Sequence, residues 1–360
     1  MKNNLYRASG MLAVVFLTTA LAVAGEEGRS VFVLTSTNNA SADANAVVVF
    51  KLNTGGSPSL SWVDTLPTGG TGGAGGNAGI LQFRDDLGAV ANYGSNSVTQ
   101  LERDHDFISI GRTISLGSGC MNPDSVSLGK DHLYVVDTVC AESFPWPSGS
   151  TADGTVSLGD TNAAQIAVGW SWAAVTLKDN KLYQLPLTGP GALSGTYTPV
   201  TLLSGAESVP LGEAFWGDVL GFTPAHDTHS FAIVSDGTEY PILGPTPPYS
   251  VPTPANAPCW VAKGNGNAWY TGNSPGHAIS IFFSDSQGGE FYKSVILEDP
   301  TGVPTDITVS PDGKWLAVIY TDGSDGYVAV YSIDKYGDLT YVATSTYSLP
   351  STISGVAFSQ

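Results

Sequence analysis

The sequence predicts an all-β fold built from repeated four-stranded units, and two kinds of observation lead to this prediction. The first is composition: the 360-residue chain contains 43 glycines and 22 prolines, and only 13% of its residues are charged. No stretch after the N-terminal segment combines sustained helical periodicity with good helix formers. Short runs of alternating apolar and β-branched residues lie instead between turn-forming Asp, Gly and Asn residues, a pattern that is typical of strands.

The second observation is an internal repeat, which is clearest at residues 77–116 and 304–349. Each unit contains an apolar strand, a tight Asp/Gly turn, a second strand, a Gly/Ser/Asn loop and two further strands. We call these strands A to D in chain order. Further units begin at residues 122, 163, 211 and 258. Four strands per unit, repeated about every 45 residues, predict a β-propeller.

The two ends of the chain each contain part of a unit. Residues 30–68 carry strands of types B, C and D but no strand A, whereas "ISGVAFSQ" (353–360) has the pattern of an A strand. We therefore predict that the C-terminal strand completes the first blade and closes a ring of seven blades, because this arrangement leaves no blade half-built. Residues 25–360 then form a single propeller domain. Six or eight blades, or a sandwich, are the alternatives.

Residues 1–24 have the features of a secretory signal peptide. Lys2 and Arg7 give a positive start, an uncharged stretch follows over 11–24, and "AVA" supplies a small-residue cleavage site. A membrane anchor is the competing interpretation, but about 14 apolar residues are short of the roughly 20 that span a bilayer. We expect a secreted monomer without a membrane span, extracellular or periplasmic, with association to the cell surface left open.

The charge balance limits the partners that the protein can bind. Lys and Arg number 14 against 32 Asp and Glu, which gives a formal net charge of -18. Such a surface repels phosphate backbones, so we expect no nucleic-acid partner. The scarcity of arginine also disfavours phosphorylated or multiply carboxylated ligands. A small molecule, a glycan or a protein bound at the channel face is the expected partner.

Several stretches resemble a known family. They include "NYGSNSV" (92–98), "APCWV" (257–261) and "PTDITVSPDGK" (304–314), and related matches extend over the whole mature chain. The chain resembles the lactonase-like β-propellers, which include 6-phosphogluconolactonase and carboxymuconate-cyclising enzymes, and it is most similar to their exported branch. The resemblance implies seven blades with YVTN-type repeats and an activity on lactones or related small cyclic esters.

In a propeller the A strands line the central channel, and the D–A and B–C loops share one face, so functional groups are expected there. The candidate binding residues at this channel mouth are Asn77, Asn92, Asp124, Asp137, Trp260, Asn273 and Asp306. Asp124 and Asp306 are interpreted first as structural residues at matching A-strand positions, whose carboxylates accept backbone N–H groups between blades. No cofactor is predicted; a Ca²⁺ ion held by oxygen atoms of this set is the alternative.

Glu213 and His277 are the candidate catalytic residues. Glu213 could act as a general base if partial burial raised its pKa, although a solvated or hydrogen-bonded loop acid is the alternative. His277 could act as an acid or a base, and the alternative is a surface loop histidine beside Pro275 and Gly276.

The three cysteines are too few for a disulfide scaffold and lack the spacing of a zinc site. Cys120 is expected on the D–A loop that enters the third blade, and Cys140 on the B–C loop of that blade. Both loops lie on one face, so we predict a disulfide between them. Cys259 is expected to be a buried small hydrophobic residue.

Two functions follow from the sequence. One is an exported hydrolase or cycloisomerase that acts on an uncharged lactone at the mouth of the channel. The other is a non-catalytic secreted or surface-associated propeller that serves as a binding or adhesion scaffold or as an antigen.

Overall fold

A computed structural model describes most of the chain. The described residues are 29–75, 78–202, 209–225, 229–235, 238–243, 258–274, 276–286 and 288–360. The predicted signal peptide and Asn77 lie outside these residues and stay predictions. Among the described residues no helix is of a length and hydrophobicity that would carry it across a membrane.

The described residues form 29 strands in seven sheets. Blade 1 contains β29 (Ser354–Ser359), β1 (Val31–Ser36), β2 (Ala46–Asn53) and β3 (Ser59–Pro67). Blade 2 contains β4 (Leu81–Arg84), β5 (Leu87–Asn92), a 3-10 turn (Tyr93–Ser95), β6 (Ser97–Asp104) and β7 (Phe107–Ser115). Blade 3 contains β8 (Pro123–Leu128), β9 (His132–Asp137), β10 (Cys140–Pro145) and β11 (Gly154–Ser157). Blade 4 contains β12 (Ala163–Val168), β13 (Trp172–Leu177), β14 (Lys181–Pro186) and β15 (Thr198–Pro199).

The remaining three blades follow in chain order. Blade 5 contains β16 (Val209–Trp216), β17 (Val219–Ala225), β18 (His229–Ser235) and β19 (Thr238–Leu243). Blade 6 contains β20 (Pro258–Lys263), β21 (Ala268–Asn273), β22 (Ala278–Asp285) and β23 (Gly288–Ile296). Blade 7 contains β24 (Val303–Val309), β25 (Trp315–Thr321), β26 (Asp325–Ile333) and β27 (Leu339–Thr344), and the short β28 (Leu349–Pro350) also pairs with β26.

The seven sheets form a closed ring. Within each blade the four strands pair in antiparallel order, and each A strand contacts the A strands of both neighbouring blades all the way around. Apolar side chains from neighbouring blades fill the space between them, which buries both faces of most inner strands. The predicted seven-bladed β-propeller is therefore confirmed.

The C-terminal strand closes the ring as the sequence predicts. Strand β29 pairs antiparallel with β1, with Phe32 opposite Ser359. The buried guanidinium of Arg103 ties both ends together: it donates hydrogen bonds to the Ser30 carbonyl at 2.6 Å and to Ser359 Oγ at 3.1 Å. Arg103 also stacks over the Phe32 ring at 5.0 Å. One side chain of blade 2 thus contacts both Ser30, just before β1, and the C-terminal strand β29 of blade 1.

A β-bulge recurs where the A strand enters the channel. In six blades the A–B pairing shifts register at this depth, which leaves one or two A-strand residues unpaired. The expectation that Asp124 and Asp306 match is wrong. Asp124 is the unpaired residue between Pro123 and Ser125, whereas Asp306 follows its bulge and pairs with Ile319. A one-residue difference turns a side chain to the other side of a strand, so the two acids have different surroundings.

Candidate functional site: the central channel

A channel of ≈ 370 Å³ lies where the seven A strands meet. Strand residues of every blade line it, and most of these residues are apolar. The polar and charged side chains among them include Gln82, Ser127, Gln165, Glu213, Lys263 and Asp306. These side chains determine what chemistry the channel can perform.

Some buried polar side chains of the A strands join neighbouring blades. The Gln165 side chain of blade 4 makes two hydrogen bonds with the backbone of Glu213 in blade 5: its Nε2 donates to the carbonyl at 3.0 Å and its Oε1 accepts from the N–H at 2.8 Å. Ser125 Oγ of blade 3 donates to the Gly79 carbonyl at 3.3 Å and accepts from the N–H of Ile166 at 3.3 Å. These groups hold the ring together, because buried polar atoms are stable when they are paired.

Asp306 is also tied to the backbone. Its Oδ1 accepts the N–H of Ile307 at 2.8 Å. Burial raises the pKa of Asp306 to about 7, even though the nearby N–H groups of Ile307, Gly79 and Val356 lower it. Val356 belongs to the neighbouring blade 1 and Gly79 precedes the first strand of blade 2; the structural role of Asp306 stays a prediction. A pKa near 7 also gives it both protonation states at neutral pH.

Glu213 differs from these groups because its carboxyl has no partner. The residue is 2% exposed, and neither carboxyl oxygen makes a hydrogen bond. Burial raises its pKa well above the usual value for Glu; the N–H groups of Ala167 and Thr176 oppose this shift without reaching hydrogen-bonding geometry. Burial therefore favours the protonated form of Glu213. An unpaired buried carboxyl costs folding free energy, and such a cost is typical of a group kept for function.

Lys263 is the charged residue of the channel wall that the sequence did not single out. It ends β20, and its Nζ donates to the carbonyls of Gly264 at 2.6 Å and Gly266 at 2.7 Å. The ammonium lies 5.2 Å from the ring centre of Trp216 and 5.1 Å from that of Trp269. Burial lowers its pKa to about 8. The sequence signal that could have pointed to Lys263 is the scarcity of basic residues, since the chain has only 14.

Three predicted binding residues occupy one repeated structural position. Asn92, Asp137 and Asn273 each end the B strand of their blade, and all three are buried. Nδ2 of Asn92 donates to Thr99 Oγ1 at 2.9 Å, and Nδ2 of Asn273 donates to Ser280 Oγ at 2.6 Å, seven residues further on in both cases. These residues close the B–C loops, and their proposed part in ligand binding stays a prediction.

Asp137 lies beside the disulfide. Cys120 and Cys140 are joined, with their Cα atoms 5.6 Å apart. Asp137 Oδ1 accepts the N–H groups of Val139 and Cys140, both at 2.7 Å, while Oδ2 is buried without a hydrogen bond. Burial raises the pKa of Asp137 to about 6, and nearby Glu142 raises it further. In the described part of the chain, Cys120, Asp137 and Cys140 are the one set of His, Cys, Asp and Glu side chains close enough to share a metal ion, and its cysteines form the disulfide.

The remaining candidates lie away from the lining of the channel. His277 has a left-handed backbone (φ 52°) in the B–C loop of blade 6, and its Nδ1 donates to the Gly302 carbonyl at 2.9 Å. Trp260 is buried in the apolar core between blades. Asp124 is buried near Tyr93 and contributes, after burial itself, to the raised pKa of that phenol. Of the two catalytic candidates, Glu213 is the one that lines the channel.

Comparison of the structure with solved proteins identifies neighbours of the same fold. The chain has the fold of 6-phosphogluconolactonase-like, seven-bladed propellers. A predicted 6-phosphogluconolactonase of Bacteroides fragilis superposes with a TM-score of 0.67 at 13% identity, covering 92% of this chain and 99% of that one. The periplasmic gluconolactonase PpgL of Pseudomonas aeruginosa gives 0.62 at 14%, covering 92% and 99%.

Virginiamycin B lyase of Staphylococcus aureus is also similar, with a TM-score of 0.54 at 14% identity and coverage of 80% and 95%. No family model matches the chain, and no curated protein matches its sequence at a significant level. At such identities the similarity is one of fold, and function has to be argued from the channel.

Proposed function

We propose that this protein is a lactonase-type hydrolase that opens a small, uncharged cyclic ester in the central channel. The observation that carries the proposal is Glu213, a residue of the channel lining whose two buried carboxyl oxygens both lack a hydrogen-bond partner. A bound carbonyl or ring oxygen would give this carboxyl the partner that the protein does not supply. Among structures of this fold, one that superposes well is named a gluconolactonase.

We assign different roles to the two channel carboxyls. The pKa of Asp306 is about 7, so a substantial fraction is ionised at neutral pH and can act as a general base. Burial raises the pKa of Glu213 well above the usual value for Glu, which favours the protonated form that a general acid needs. Pairs of acids separated in this way commonly divide the acid and base steps between them.

The reaction then proceeds by general acid–base catalysis. Asp306 takes a proton from a water molecule as the water oxygen attacks the ester carbonyl carbon. The ring C–O bond breaks as Glu213 donates its proton to the departing ring oxygen. The product is a hydroxy acid, and proton exchange with solvent restores both carboxyls. No other reactant is needed.

The lining of the channel favours an uncharged substrate. Lys263 is the cation among the described lining residues, and its Nζ is already engaged by backbone carbonyls. An anionic substrate would therefore lack the Arg clamp that usually binds it. A volume of ≈ 370 Å³ is at the small end for ligand sites, so we expect a five- or six-membered lactone.

The test is hydrolysis of a panel of uncharged lactones by wild type, Glu213→Gln and Asp306→Asn. We expect each substitution to lower kcat by at least about 100-fold, the usual contribution of a general acid or base. For wild type, kcat/KM should rise with pH through about 7, as Asp306 ionises. Glu142→Gln is the matched control, because Glu142 is buried with a raised pKa but is not part of the lining. Absence of turnover across the panel, or equal losses in the control, would contradict the proposal and favour a binding scaffold.

We also propose that the protein is exported as a monomer. The charge pattern of residues 1–24 supports cleavage after Ala24, and one neighbour of the same fold is named as periplasmic. N-terminal sequencing of protein recovered outside the cytoplasm should begin at Gly25; an intact Met1 would contradict export by this route.

A further inference from the structure

Trp170 is an unusually exposed tryptophan on the face opposite the predicted site. It lies in the A–B turn of blade 4, between β12 and β13, and is 85% exposed. Trp172, two residues further along, is 7% exposed. Leaving a whole indole in water forgoes the free energy of burying a large apolar surface. A single exposed side chain is not yet a site, so its surroundings decide its role.

The backbone that carries Trp170 is fixed. Asp218 Oδ1, in the A–B turn of blade 5, accepts the N–H groups of Trp170 and Ser171, both at 2.9 Å, and its Oδ2 accepts Ser171 Oγ at 3.0 Å. Trp170 N–H also contacts the Gly217 carbonyl at 3.3 Å. A Cβ on Gly169 would lie 2.7 Å from that carbonyl, so the turn requires glycine there. The indole is thus held on a rigid turn.

A mixed polar and apolar groove of ≈ 820 Å³ lies beside this indole. It shares Val168 and Phe215 with the lining of the central channel, which places it next to the A–B mouth of that channel. Its polar side chains include Arg84, Lys130, Asp131, Ser171 and Thr188. The guanidinium of Arg84 is oriented by a bond from Nη1 to the Leu128 carbonyl at 3.3 Å.

We propose that this groove binds a glycan, with one pyranose ring stacked on Trp170. The C–H face of a sugar ring is apolar and matches a fixed indole, while the hydroxyl groups around it need donors and acceptors of both kinds. The groove supplies both: Arg84 and Lys130 donate, Asp131 accepts, the Thr188 hydroxyl can do either, and the Ser171 hydroxyl, which donates to Asp218, can accept. A purely apolar ligand would leave these groups unpaired, and a cation would meet Arg84 and Lys130. This site does not depend on the proposed hydrolysis.

The test is calorimetric titration of wild type with two soluble probes, a cello-oligosaccharide and an oligogalacturonide, which separate neutral from acidic glycans. We expect saturable binding of at least one probe. Trp170→Ala should weaken it by about tenfold or more, the size of one lost ring-stacking contact. Trp170→Tyr, which keeps a flat ring, should stay within about threefold of wild type.

The matched control is Phe107→Ala, because Phe107 is another highly exposed aromatic residue (75%) and lies in the outer strand of blade 2, away from the groove. Its affinity should equal that of wild type. Glu213→Gln should also bind normally, so a failed lactone assay leaves this test intact. Binding of neither probe, or binding that Trp170→Ala does not weaken, would overturn the proposal.

Discussion

The junction of blades 1 and 2 and the junction of blades 4 and 5 both bury polar side chains, but they do so differently. At the first junction Asn92 Oδ1 accepts from Asn45 Nδ2 at 2.9 Å and from Thr68 Oγ1 at 2.7 Å, and Nδ2 donates to Thr99 Oγ1. At the second, Gln165 bonds to the backbone of Glu213, while the Glu213 carboxyl bonds to nothing. Burial alone therefore does not distinguish a structural polar side chain from a candidate functional one in this ring. The hydrogen-bond partners of each side chain make that distinction.

The largest expected effect is at the first junction. Asn92→Ala would remove the three buried hydrogen bonds that Asn92 makes with Asn45, Thr68 and Thr99, so we expect the free energy of unfolding to fall by about 3 kcal/mol. Denaturant unfolding measures this. Asn53→Ala is the control: Asn53 Nδ2 bonds to Ser59 and Ser61 at an exposed site, and its loss should cost under about 0.5 kcal/mol. Equal effects of the two substitutions would mean that the junction is not structural.

The second prediction is a gain in stability rather than a loss. Glu213→Leu removes an unpaired buried carboxyl and keeps most of the volume, so we expect stability at pH 7 to rise by about 1–2 kcal/mol while lactone hydrolysis is lost. Gln165→Leu is the control in the same junction, because it deletes two hydrogen bonds and should destabilise the protein. If Glu213→Leu destabilised the protein as Gln165→Leu does, the carboxyl would have an essential structural partner.

The third prediction concerns pH. The folded-state pKa of Asp306, about 7, and of Asp137, about 6, lie above the unfolded value near 4. Between the unfolded and the folded pKa, the folded state binds more protons than the unfolded state. The stabilising contribution of the two carboxyls is therefore complete below pH 4 and is lost as pH rises through the folded pKa. Each group adds a slope of at most about 1.4 kcal/mol per pH unit. Stability measured from pH 4 to 8 should decline, less steeply in Asp306→Asn; an unchanged slope in that variant would contradict the assignment.

Much of the ring could be predicted from the sequence, because each blade repeats local signals. The orphan strand at 353–360 has an A-type pattern, and its pairing with β1 follows from counting blades. Cys120 and Cys140 were placed on one face by the same count, and the structure joins them. Topology of this kind depends on strand order, which the sequence displays.

The contents of the channel were harder to predict. The bulge that displaces Asp124 relative to Asp306 has no sequence signal strong enough to set a one-residue register. Asn92 and Asn273 lie at loop ends where binding residues are common, yet their amides bond to side chains seven residues away, which only the strand pairing reveals. The sequence indicates Glu213 as a candidate general base, but the lack of hydrogen-bond partners for its carboxyl is a property of the folded neighbourhood.

The smallest effect is expected at Asp322, which sharpens the contrast with the buried acids. This exposed carboxylate in the B–C loop of blade 7 accepts the N–H groups of Ser324 at 3.0 Å and Asp325 at 2.9 Å, and the hydroxyl of Tyr327 at 3.0 Å. These bonds hold its pKa below the usual value for Asp. Its stabilising contribution is therefore present above pH 4 and is lost as pH falls through the folded pKa, the reverse of Asp306. Asp322→Asn should lower Tm at pH 7, but only slightly, because solvent screens an exposed group. The Tm difference should shrink in strong acid, where the wild-type carboxylate is protonated. A Tm difference between wild type and variant that grew in acid would contradict the lowered pKa of Asp322.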